Sequence, residues 1–369
     1  MKTVLRKLSA VLVAVVAAAF VPAARGLQDP SQDEPIRLKT DLVTVTTAVN
    51  DREGRAIKSL KADDFTIYED GVKQRIAHFA PTEEPFTLLL LLDISGSTLE
   101  EIALMKSAAK NFLAELRPND HVGVIVFSRE IEMISEFTDS RQQVEAAVGQ
   151  IATPRGGDAY RFNSNTGTSF YDALYLAVQE SPLKKVEGRK AIVCMSDGVD
   201  STSRMKYKDA RHLVEAAQAP IYMLELNTEE ATLVDLLKPK TDPSYVNLSP
   251  GQIDRYYDEF DPDSMRRHMP RGIIPADTIR EINEGLYKIA RRELRELGEH
   301  TGGRVYPVRT LNDLSGVYKQ VADDLRSQYS IGYYPMNNAQ DGAWRSIRVE
   351  VRGPGAKVHA RSGYQAPGK

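Results

Sequence analysis

The stretch from Thr87 to Thr98 constrains the fold more than any other part of the chain. Thr87 and five consecutive leucines, Leu88 to Leu92, run straight into Asp93-Ile94-Ser95-Gly96-Ser97-Thr98. A short unbroken apolar run reads as a strand buried on both faces, the habit of a central parallel strand. In open α/β sheets, ligands bind beyond the carboxyl ends of such strands. Asp-x-Ser-x-Ser at that place offers only hard oxygen donors, which suit Mg²⁺, Mn²⁺ or Ca²⁺ rather than zinc. A competing reading makes Ser97 or Thr98 a simple cap for the helix that follows.

From Thr87 onward the pattern alternates between strand and helix. Ile102, Met105, Ala109, Phe112, Leu113 and Leu116 keep helical spacing until Pro118-Asn119-Asp120 stops them. Val122 to Phe127 is the next strand, with Ile131 to Phe137 as its hairpin partner. A helix through Val148, a Gly-rich loop from Pro154 to Gly167, and a helix through Leu174 and Val178 follow. Lys190 to Met195 is another strand, then a helix through Leu213 and the strand Ile221 to Leu226. This alternation predicts a doubly wound, mostly parallel α/β sheet with helices on both faces. Residues 227–280 break the rhythm with prolines at 239, 243, 250, 262, 270 and 275, and read as a long inserted loop. Helices through Leu286 and Leu297 and through Val317 and Leu325 then flank a strand from Arg304 to Val308.

Both ends of the chain carry strand patterns instead. Residues 37–82 contain Leu42 to Val49, Phe65 to Tyr68 and Val72 to Phe79, the last two joined by Asp70-Gly71, a strong hairpin signal. Residues 328–369 contain Gln328 to Tyr334, Arg345 to Val351 and Lys357 to Arg361. So few strands at either end cannot stand alone. They are expected to join in one β module around the α/β domain of residues 83–327, since chain ends often lie close together.

Residues 1–26 have the form of a secretory signal peptide, with an uncleaved membrane anchor as the competing reading: Lys2, Arg6 and Lys7, an apolar stretch from Leu8, and small residues near Val21-Pro22-Ala23. The polar residues 27–36 read as a flexible leader. A secreted or periplasmic location follows, with no later apolar run long enough for a membrane span. At 369 residues the chain is long enough for two or three folded units. A net charge of -3 gives no support to nucleic-acid binding. The single cysteine, Cys194, sits in a core strand and reads as a small buried hydrophobe.

Three loops at strand ends carry oxygen ligands: Asp93 to Ser97, Thr166 to Leu174, and Ser196 to Asp200. Together they resemble the von Willebrand factor type A domain with its metal-ion-dependent adhesion site. That family's pattern is Asp-x-Ser-x-Ser, a Thr before Tyr-Asp-Ala-Leu, and an Asp in Thr/Ser-Asp-Gly. Asp93, Ser95 and Ser97 match the first part, Thr168 the second and Asp197 the third. The flanks, with Tyr333-Tyr334-Pro335 and Arg361-Ser362-Gly363-Tyr364, look like a bacterial secreted group of related proteins. The resemblance implies a bound divalent cation, Mg²⁺ or else Mn²⁺ or Ca²⁺. It also implies a protein partner whose Asp or Glu completes the coordination. Around the five ligands, Asp172 is expected to serve a helix N-terminal turn and Tyr171 to pack in the core. Asp200 and Ser201 are either support or plain loop. The insertion at 227–280 leaves a strand end on the same face as Asp93 and is expected to shape the partner surface or to offer one of its own carboxylates as an internal plug, with a solvated loop of no role as the competing reading.

Enzyme readings find little in the residues. Asp93-x-Ser lacks the second carboxylate of Asp-x-Asp phosphotransferases. No Gly-x-Ser-x-Gly elbow and no phosphate-binding Gly-x-x-x-x-Gly-Lys loop occurs. The six histidines show no zinc spacing. A non-enzymatic adhesion or recognition protein is therefore expected. The alternatives are a structural envelope protein whose metal stabilises the fold, a subunit of an ATP-driven assembly machine, and a metal-dependent hydrolase.

Overall fold

The structure is a computed structural model and describes residues 42–81, 85–151, 167–186, 188–217, 219–238, 248–263, 274–309, 313–353 and 355–368. The expected signal peptide and leader lie outside the described residues, as do most of the Gly-rich loop and parts of the 227–280 segment.

The leucine run forms β5 (Phe86–Asp93), and all five leucines are essentially without solvent contact. Successive side chains of a strand point to opposite faces, so β5 must meet apolar partners on both sides. Leu88, Leu90 and Leu92 pack against α1 (Ile102–Glu115), α2 (Arg141–Gln150) and α8 (Leu314–Arg326). Leu89 and Leu91 pack against α3 (Phe170–Tyr175), α4 (Tyr207–Ala216) and α7 (Ala276–Thr301). Cys194 is buried on this second side.

Around β5 the six-stranded sheet includes β6 (His121–Phe127), β7 (Ile131–Thr138), β8 (Arg189–Ser196), β9 (Ile221–Leu226) and β10 (Arg304–Val308), in the order β10-β9-β8-β5-β6-β7. Its pairings are parallel except at the β6–β7 edge, which is a hairpin.

The remaining strands form two four-stranded antiparallel sheets. One, in the order β13-β1-β11-β4, comprises β13 (Lys357–Ala360), β1 (Val43–Asn50), β11 (Tyr329–Tyr333) and β4 (Ile76–Pro81). The other, in the order β14-β12-β2-β3, comprises β14 (Gly363–Gln365), β12 (Trp344–Val351), β2 (Phe65–Glu69) and β3 (Val72–Gln74). Each sheet mixes strands from both ends of the chain: Val45 lies opposite Ile331, and Ile67 opposite Val349. Val45, Val49, Phe65, Ile67, Tyr329, Ile331 and Tyr333 fill one shared core between them. Asp70 and Gly71 both take positive φ, 47° and 80°, as a two-residue hairpin turn requires.

Two expectations need correction. Taken over all described strands, antiparallel pairings prevail, so the fold is α/β with a parallel part confined to the six-stranded sheet. The 227–280 segment is not simply a loop: α5 (Glu229–Leu236) and α6 (Pro250–Phe260) fold within it, and α7 begins there. Its prolines misled because two of them start helices. Pro250 occupies the first turn of α6 behind a Ser249–Gln252 capping box, and Pro275 is the N-cap of α7.

Candidate metal centre at the strand ends

Parallel strands place their carboxyl ends on one edge, and four neighbours in this sheet use that edge for polar loops. Asp93 ends β5, Ser196 ends β8 directly alongside, and Asp197 follows it. Thr228 follows β9. The Thr168 segment is tied to the end of β6 through Ser169, whose N–H donates to the Ser128 carbonyl at 2.8 Å.

Asp93 is wholly buried. Its Oδ1 accepts the Ser95 N–H at 2.9 Å and its Oδ2 accepts the Ser196 hydroxyl at 2.6 Å. Burial, reinforced by the charge of Asp197, pushes the Asp93 carboxyl up to about 7. The Ser95 and Ser97 hydroxyl oxygens lie 3.3 Å apart. The Thr98 hydroxyl turns inward and meets the carbonyls of Asp93 at 2.8 Å and Ser95 at 3.1 Å, so it staples the loop.

Asp197 is equally buried. Oδ1 accepts the Val199 N–H at 3.0 Å, and Oδ2 accepts the Thr228 hydroxyl at 2.6 Å and the Tyr287 hydroxyl at 3.3 Å. Burial first, then the Asp197 charge, hold the Tyr287 phenol well above its ordinary range, so it remains a donor.

Thr168 belongs to a loop zipped to the one after β8. Its N–H donates to the Ser201 hydroxyl at 2.7 Å, and its carbonyl accepts from the N–H groups of Ser201 and Thr202. Gly167 has φ +77°, and a Cβ there would come within 2.5 Å of Thr202, so the close approach requires glycine. The acids nearby divide their work differently from the expectation. Asp200 accepts the Phe170 N–H at the start of α3, whereas Asp172 accepts from Arg204 and Met205 across the zipper. Burial raises the Asp200 carboxyl to about 6. Tyr171 is buried as expected, and its hydroxyl also donates to Glu293 at 2.6 Å.

Asp93, Ser95 and Ser97 thus share one loop, Asp197 stands close enough to Asp93 to perturb its charge, and Thr168 is tied to the loop that follows Asp197. Among the described residues no group of three or more His, Cys, Asp or Glu converges as a metal site. The set here is of another kind, two carboxylates with the rest hydroxyls. Two buried carboxylates accept only N–H and hydroxyl donors in the contacts above, with no cationic side chain among them. Missing positive charge and hard oxygen donors together fit a divalent cation of the Mg²⁺ type. Sequence reasoning placed Ser196 in an oxygen-bearing loop without a role of its own, and missed Thr228 and Tyr287. Ser196 and Thr228 had a signal in their place at or just beyond a strand's end; Tyr287, mid-helix, had none.

Residues 88–199 match the family model described as von Willebrand factor type A domain. No curated protein matches the chain. Among solved structures, proximal thread matrix protein 1 from the mussel byssus is 12% identical with a TM-score of 0.43, over 70% of this chain and 50% of that one. The chain therefore spans about half the length of the mussel protein. One structure of that protein, 13% identical with a TM-score of 0.41 over 66% of this chain and 48% of that one, has a zinc-occupied adhesion-site motif. A von Willebrand factor type A protein from Catenulispora acidiphila is 11% identical with a TM-score of 0.41, over 88% of this chain and 74% of that one. BatB from Bacteroides thetaiotaomicron is 18% identical with a TM-score of 0.37, over 65% and 98%.

Proposed function

We propose, from the premise that this chain carries a von Willebrand factor type A domain, that it is an exported, non-enzymatic recognition protein that grips its partner through a divalent cation. The family match accords with a non-enzymatic chain. Asp93, Ser95, Ser97, Thr168 and Asp197 would hold Mg²⁺, or Mn²⁺ or Ca²⁺ in its stead. When bound, the cation supplies an electrophilic position for a carboxylate oxygen of a partner protein's Asp or Glu. The chain's own residues do the rest. Ser95 and Ser97 offer neutral oxygens, which leave the cation's charge largely uncompensated. Asp93 and Asp197 would supply charge, and each is pinned by protein donors. The observation that carries this reading is the buried Asp93, with the buried Asp197 near enough to raise its pKa and the Ser95 and Ser97 hydroxyls 3.3 Å apart in the loop that follows it.

We further read residues 37–82 with 328–369 as a β module and 83–327 as the recognition domain, with 1–26 as the export signal. Among the described residues no helix is long and apolar enough to cross a membrane. The test is capture of partners from an envelope extract with Mg²⁺ and with chelator. Capture by the wild type that chelator and Ser95→Ala both abolish supports the reading. Capture indifferent to both removes it, and favours a cation that only stabilises the fold if chelator still lowers Tm.

A further inference from the structure

Asp197 is held from two helices that the five-residue pattern does not include. Thr228 stands at the N-terminus of α5, and Tyr287 lies in the middle of α7. Thr228 Oγ1 donates to Asp197 Oδ2 at 2.6 Å. Since a hydroxyl has one proton, that of Thr228 is spent on Asp197, and the single Tyr287 proton is shared between Thr228 Oγ1 at 2.8 Å and Asp197 Oδ2 at 3.3 Å. Thr232 meets the same phenol oxygen at 2.8 Å. Three hydroxyls, Thr232, Tyr287 and Thr228, therefore form a chain that ends on the carboxylate.

The seam carrying this chain is fastened on its own account. Asn283, Tyr287 and Arg291 are spaced four residues apart, so they share one face of α7. Asn283 donates to the Glu229 carbonyl, and Arg291 forms ion pairs with Glu225 and Glu229. Behind the Asp197 loop, Gly198 sits so close to α7 that a Cβ would come within 2.8 Å of Leu294. The carboxylate thus has its orientation set by α5 and α7, not by its own loop alone.

We propose that Thr228 and Tyr287 are positioning residues for the cation site, orienting Asp197 so that divalent affinity depends on the α5–α7 seam. This rests on the metal-site reading above. Groups that orient metal ligands from behind commonly change affinity by about 10–100-fold when removed.

The test is Mn²⁺ titration of the full chain by calorimetry, with melting in chelator recorded alongside. Tyr287→Phe and Thr228→Val should each weaken Mn²⁺ binding about tenfold or more, while Thr228→Ser, which keeps the hydroxyl, should stay within about twofold of wild type. Asn283→Ala loosens the seam but leaves all three hydroxyls, and should bind nearly as wild type does. Unchanged affinity in Tyr287→Phe and Thr228→Val overturns the assignment while leaving the metal site standing. An equal loss in Asn283→Ala overturns it in favour of helix packing. A wild type that takes up no Mn²⁺ overturns the metal-site reading and this one with it.

Discussion

Ser196 donates its hydroxyl to Asp93 Oδ2 at 2.6 Å and, through the same oxygen, accepts the Gly198 N–H at 2.9 Å. One side chain thereby joins the end of β8 to the end of β5 and shapes the turn that carries Asp197. Ser196→Ala leaves a buried carboxylate oxygen and a buried N–H each short of a partner. The expected cost is about 1–3 kcal/mol in metal-free protein, read from urea unfolding in chelator. No measurable change would show that water or loop movement replaces both contacts.

The sandwich of chain-end strands is held by a buried carboxylate as well as by apolar packing. Glu69 Oε2 accepts the hydroxyls of Tyr333 at 2.7 Å and Tyr364 at 2.9 Å, joining β2, β11 and β14. Tyr333→Phe and Tyr364→Phe should each cost about 1.5–3 kcal/mol, the range for bonds to a charged group. Because both donors serve one oxygen, the double variant should depart from the sum of the singles. Strict additivity in equilibrium unfolding would contradict a shared network.

His359 on β13 makes stability fall in acid. Its Nε2 is buried and has no hydrogen-bond partner among the described residues. Burial first, then the cations of Arg304 and Lys357, lower its pKa to about 4, against the opposing pull of Asp324. The unfolded chain therefore binds a proton that the folded one refuses. This contribution is complete above the unfolded value near 6.5 and is lost as pH falls towards 4. The loss is at most about 3–4 kcal/mol. His359→Leu should flatten the stability profile between those limits; an unchanged profile would assign the acid limb elsewhere.

The α6 helix is fastened by an ion pair between Arg255 and the buried Glu293 of α7, with the guanidinium 5.1 Å from the centre of the Tyr171 ring. Its N-cap hydroxyl, Ser249, donates to the Ser201 carbonyl at 3.0 Å, beside the Thr168 loop. Arg255→Met should speed amide exchange along Pro250–Phe260 and leave the amides of Leu88–Leu92 protected, because local openings follow local fastening. Equal acceleration in both would mean that α6 opens only with the whole domain.

Much of this arrangement can be read from residues alone, where one signal has one physical cause. Leu88–Leu92 could only be a core strand, and Asp93-x-Ser-x-Ser could only follow it. Asp70-Gly71 announced its hairpin because both positions need positive φ. Pro250 and Pro275 failed as loop markers, since a proline without an N–H is as suitable for a helix's first turn as for a break. Asp172 and Asp200 each accept backbone N–H groups about thirty residues away, pairings that local spacing cannot show. Tyr287 was hidden for the same reason: it reaches Asp197 from a helix 90 residues further on.

Calorimetric titration of Mg²⁺ or Mn²⁺ into the chelator-treated chain tests the central claim most directly. Wild type is expected to take up a single cation per chain, and Ser95→Ala and Asp93→Ala to lose it while their circular dichroism stays unchanged. Absence of uptake by the wild type, or uptake by both variants equal to its own, would contradict the account.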